Sequence, residues 1–159
     1  MIGQMKVLLR VKELKEQQAF RAMTAKRAQV AEAMAALEVA RQCVRESAAT
    51  LPAREDAIYK EIMRRVVDLD IIEETKGKVV VLEKQHAKLV DAQERAHHIH
   101  DRLDKELQET IQLWRNTVKG RDKYMILTDG LRAELRAQVE AREEVEVEDI
   151  FSTRRRRAA

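Results

Sequence analysis

Arg64-Arg65-Val66-Val67-Asp68-Leu69-Asp70 is the stretch on which the reading of this chain turns. On both sides of it, mostly apolar residues recur at alternating spacings of three and four, the mark of one stripe along a long helix. Upstream the series is Phe20, Met23, Arg27, Val30, Met34, Leu37, Arg41, Val44, Ala48, Leu51, Glu55, Ile58 and Ile62. Downstream it is Ile72, Thr75, Val79, Leu82, His86, Leu89, Gln93, Ala96, His100, Leu103 and Leu107. The rhythm fails between Ile62 and Ile72, and Asp70 with Glu73 three residues later has the form of a helix N-cap box. The chain is therefore expected to turn and come back. The fold class is all-α, a long antiparallel two-helix coiled-coil hairpin with its tip near residues 64–70.

Working outward, helix 1 is expected over about 3–63. Val7, Val11 and Leu14 form an opening set out of phase with Phe20, but Glu16-Gln17-Gln18-Ala19 are strong helix formers and nothing there ends a helix. Pro52, the one proline, removes a hydrogen bond and clashes one turn back, so it marks either a kink or a fresh N-terminus within the arm. Helix 2 is expected over about 69–141, its stripe slipping by one residue after Leu107 to Ile111, Trp114, Val118 and Met125. Residues 1–145 then make the hairpin. Residues 146–159, acidic and then basic, read as a flexible tail. Folding at the tip so that Ile62 faces Ile72 gives partners whose numbers sum to about 134. Phe20 then meets Trp114, and Arg41 falls opposite Gln93 as a polar layer that would fix register. Residues after about 131 overhang. An arm of ~60 residues spans ~90 Å.

Composition agrees. The 159 residues are 37% charged and 45% hydrophobic with 3% aromatic, the balance of long helices, not of a thick core. Two helices bury one seam each, so no enzyme pocket and no cofactor are implied, and part of the order should come from a partner. Net charge is +3, and the Arg154–Arg157 run alone carries four positive charges. The remainder is charge-balanced, which excludes a nucleic-acid footprint along the rod. A lone cysteine, Cys43, excludes an internal disulfide. Lys6, Arg10 and Lys12 break any signal-peptide core, and no apolar run spans a bilayer, so a cytoplasmic location is expected.

His97, His98 and His100 with Asp101 and Asp104 are the one cluster suggestive of a metal, and the spacing reads better as solvated and seam histidines. The arginine run lacks aromatic neighbours for base stacking and reads as a tail. Trp114 reads as core-lining beside Phe20. At the tip, Val66, Val67, Leu69, Ile71 and Ile72 beside Arg64 and Arg65 either close the hairpin or form a partner site, and the sequence leaves both open.

Leu9-Arg10-Val11-Lys12-Glu13-Leu14-Lys15-Glu16-Gln17-Gln18-Ala19, then Leu82-Glu83-Lys84, and Trp114-Arg115 with Lys119, resemble the central stalk proteins of type III secretion systems, the YscO group and its flagellar counterpart FliJ. The resemblance covers nearly the whole chain apart from the tail. It implies a non-catalytic stalk at the cytoplasmic base of a secretion apparatus. Its terminal end would enter the hexameric secretion ATPase, and its tip would reach the export gate protein, with export chaperones as further partners. Carried over, the ATPase end would use Lys6, Arg10, Lys12, Lys15, Arg115, Lys119, Arg121 and Lys123. The gate or chaperone end would use Arg64, Arg65, Leu69, Ile71, Ile72 and Leu82. Lys78 stands where the family has an aromatic. The runner-up reading is a generic coiled-coil scaffold whose seams pair two chains. A third is a nucleic-acid binder acting through the arginine run.

Overall fold

The computed structural model describes residues 1–158: two helices, α1 (Ile2–Lys60) and α2 (Leu69–Ala158), paired antiparallel as a hairpin. At the tip, the Ile62 and Met63 amides donate to the Tyr59 carbonyl at 3.2 and 3.1 Å, a last tightened turn of α1. Arg64 then takes a φ of 61°, the left-handed conformation that closes many helix C-termini. The next helix starts earlier than its expected box. Ile71 and Ile72 donate to the Asp68 carbonyl at 3.2 and 3.3 Å, so Asp68 is the N-cap. Asp70 lies in the first turn, where its charge suits the helix dipole.

Of the two readings of Pro52, the restart is not taken, because α1 continues through it. Pro52 and Ala48, whose carbonyl loses its amide partner, are both exposed, so water can occupy the vacant acceptor. At the far end α2 runs to Ala158 instead of stopping near Ala141. The hydroxyls of Ser152 and Thr153 return to the Asp149 carbonyl at 3.0 and 2.7 Å. Arg155, Arg156 and Arg157 in the last turn complement the dipole.

The chain divides into two units, Met1–Met23 with Thr110 onward, and Thr24–Glu109. In the second unit Ala33, Leu37, Val79, Leu82 and Leu107 are buried. Val30, Leu37, Val44, Leu51, Glu55 and Ile58 line the seam as expected, but three of the positions between them are one residue off. Lys26, Ala33 and Ser47 face inward where the sequence suggested Arg27, Met34 and Ala48. Small side chains at the inward positions let two helices approach, and bulkier neighbours such as Met34 then flank the contact. The polar layer is displaced too. Arg41 pairs with Glu38 of its own helix at 2.7 Å, and nearby it is Ser47 that makes a cross-helix polar pair, with His86, Oγ to Nδ1 at 2.8 Å. Arg54 donates to the same Ser47 oxygen at 3.3 Å.

In the first unit the seam does not slip at Ile111. It keeps phase through Thr110, Trp114, Thr117, Arg121, Tyr124, Thr128 and Leu131. Polar residues are tolerated there because their groups are satisfied locally. Thr117 and Thr128 donate to the carbonyls of Trp114 and Tyr124 at 2.6 and 2.7 Å. Phe20 meets Trp114 with ring centroids 5.9 Å apart, the pair the folding rule anticipated.

Candidate interaction surfaces

The first unit gathers all eight terminal cations singled out in the sequence, but in two environments. Lys12 and Arg121 are half-buried and serve the hairpin itself. The Lys12 ammonium lies 5.3 Å from the Tyr124 ring centre. Glu16 accepts from Trp114 Nε1 at 3.0 Å with one carboxylate oxygen, and its other oxygen lies 3.5 Å from Arg121. Lys6, Arg10, Lys15, Arg115, Lys119 and Lys123 are exposed. Arg10 is loosely tied to Glu13 at 3.4 Å. Six cations on the start of α1 and on the part of α2 in the same unit make a surface suited to an acidic partner.

The second unit carries the tip. Met63, Val66, Leu69 and Ile71 are exposed, Val66 completely, with Arg64 and Arg65 exposed among them. Of the two readings left open, end closure therefore does not account for these four, and an apolar patch rimmed by cations remains. Met63 belongs to it and was missed, because the helical stripe ended at Ile62. Ile72 is half-buried. Leu82 must leave the set: it is 9% exposed and part of the seam, so it offers no docking surface while the hairpin is closed. Lys78 stands 3.9 Å from Glu61, an exposed pair of little energetic weight.

Two of the clustered histidines, His97 and His100, are partnered within α2. His97 Nε2 is 3.1 Å from Asp101, and His100 Nδ1 is 3.3 Å from the same carboxylate. Among the described residues no group of three or more His, Cys, Asp and Glu is placed to hold a metal ion. A groove of about 960 Å³ in the second unit, lined by Cys43, Thr50, Ala53, Ala57 and Leu89 among others, is open to solvent. Among the described residues no helix is long and apolar enough to cross a membrane. Beyond Leu131 every described residue of α2 is exposed, Val139, Val147, Ile150 and Phe151 included.

Comparison with known proteins fixes the class of molecule. The family model described as type III secretion protein YscO matches residues 5–153. The chain belongs to the YscO family. A solved YscO structure, the type III secretion protein from Vibrio parahaemolyticus, superposes with a TM-score of 0.82 at 20% identity, covering 93% of each chain. At that identity the likeness speaks for the YscO hairpin fold. No curated protein matches the chain significantly in sequence. As a type III secretion protein, a YscO-family chain has its partners within the secretion apparatus.

Proposed function

We propose that this chain is the non-catalytic central stalk of a type III secretion ATPase complex. Its first unit inserts into the ATPase hexamer, promoting assembly and turnover, and its tip links the ring to the export gate protein, with export chaperones as additional ligands. The observation that carries this reading is the exposed set of six cations in the first unit of a YscO-family hairpin. Such a surface can bind one state of a ring better than another and so bias it, which is all a stalk needs to do. Lys12 and Arg121 support that surface from within the seam. The tip's Met63, Val66, Leu69 and Ile71, in the second unit, supply an apolar contact.

The test is ATP hydrolysis by the cognate secretion ATPase with and without this protein. Wild type should raise turnover and favour hexamers. Lys119→Glu with Lys123→Glu should reduce that stimulation several-fold at unchanged helix content, since both side chains are exposed. Undiminished stimulation would take them out of the interface. The scaffold alternative, in which the seams pair two chains, is disfavoured by the intrachain contacts of Phe20 with Trp114 and of Ser47 with His86.

A further inference from the structure

The end of α2 is a helix without a neighbour. From 132 to 158 every residue is exposed. Helices draw most of their stability from packing an apolar face, and beyond the cleft that Glu134, Leu135 and Gln138 line with Met1 and Ile2 this stretch buries none. It nevertheless presents Val147, Ile150 and Phe151 to solvent. At ~100° per residue, Glu143, Glu146, Val147, Ile150, Arg154 and Arg157 fall on one face, within an arc of about 100°. The order along that face is acidic, apolar, basic. Among the described residues, none of these four charged side chains makes an ion pair.

We propose that this face pairs with the same face of a second copy of the chain, antiparallel, about a two-fold axis at Ile150. In that arrangement Ile150 meets Ile150, Glu146 meets Arg154, and Glu143 meets Arg157, each charge pair occurring twice. The sequence is self-complementary about its apolar centre, as an isologous interface requires. Parallel pairing sets Glu143 on Glu143 and Arg154 on Arg154, and like-charge contacts exclude it. An interface of about four helical turns falls short of the ~1,200 Å² of stable complexes, so the association is of roughly micromolar strength. Exposed charge pairs contribute orientation more than affinity, which makes the dimer salt-sensitive. The pairing uses neither the seam nor the six cations of the proposed ATPase surface, so it stands or falls apart from that reading.

Sedimentation equilibrium on the full chain from about 1 to 100 μM brackets this range. A concentration-dependent dimer is expected, weakened roughly tenfold or more by Ile150→Asp. Glu143→Arg with Glu146→Arg in one variant, and Arg154→Glu with Arg157→Glu in another, should each be monomeric alone. Mixed in equal amounts they should form a heterodimer, because every contact is then between opposite charges. Helix content and the Trp114 fluorescence of each variant report whether the hairpin is intact. A wild type that stays monomeric throughout overturns the proposal, also if the overhang then binds the secretion ATPase, which would assign the face to that partner. So does a dimer untouched by Ile150→Asp, or one that mixing fails to restore.

Discussion

Glu16 occupies a seam position that an apolar side chain would fill in a uniform coiled coil. Its carboxylate lies between Trp114 Nε1 and Arg121, and its side chain is 15% exposed. Glu16→Leu takes from the half-buried Arg121 its partner across the seam, leaving it only Asp122 of its own helix, and removes the acceptor of Trp114 Nε1, so the first unit should lose about 1–2 kcal/mol, allowing for solvent screening. Adding Arg121→Leu should recover most of that loss, since two apolar residues suit a seam as well as an ion pair does. Urea unfolding followed at Trp114 measures both, and a double variant no better than the single one refutes the account. Lys26 and Glu106 are the second coupled pair, 2.8 Å apart. The Lys26 hydrogen bond and charge hold the Glu106 carboxyl below its ordinary value of 4.5. A depressed carboxylate stabilises the fold above its unfolded value, and that contribution fades as pH falls through the folded one. Lys26→Met should therefore make the melting temperature less sensitive to acid below about pH 4.5, where wild type loses this pair. Equal acid sensitivity of variant and wild type would show that the pair does not contribute.

Each helix was legible in sequence where its period was carried by large apolar residues, and misread where the seam changed chemistry. Val30, Leu37, Val44, Leu51 and Ile58 announced α1, and Ile72 to Leu107 announced α2. Ala33 was passed over for Met34 because periodicity weighs hydrophobicity, whereas close helix contact favours small volume, and Ser47 was passed over for Ala48 because a serine looks polar, yet its hydroxyl is paired with His86. Thr117 and Thr128 were passed over because a threonine looks polar in sequence, yet its hydroxyl is satisfied by its own helix. Family resemblance gave the candidate surfaces; which cations point outward depended on seam phase, and that phase rests on those same small and polar residues. Pro52 is the element-scale test. It sits exposed inside an unbroken α1, where a proline costs roughly 3 kcal/mol relative to alanine. Pro52→Ala should stabilise the second unit by about 1–3 kcal/mol, less if water already compensates the Ala48 carbonyl. Thermal unfolding by circular dichroism reads it, and a lowered midpoint would mean that Pro52 shapes a bend the seam requires.

The two units differ in what fills them, and that difference sets an order of opening. Ala33, Leu37, Val79, Leu82 and Leu107 are buried in the second unit. In the first, among the described residues, Met23 is the buried hydrophobic and Thr128 the buried polar residue. Half-buried Leu9, Trp114, Val118 and Leu131 share its seam with Glu16, Arg121, Lys12 and Tyr124, and the hydrogen bonds and charge of the latter add little net stabilisation beside apolar burial. Local opening free energies follow such differences in burial. Trp114 is the one tryptophan and lies in the first unit, so its emission reports that unit alone, while helical circular dichroism reports both. The fluorescence transition is therefore expected at lower urea than the main loss of helix, with a shallower slope because less surface is exposed. Coincident transitions of equal slope would instead make the hairpin one cooperative body. The order bears on the proposed stalk. A terminal end that loosens at little cost can refit its polar seam against a ring, while the apolar second unit keeps its own two helix segments in register.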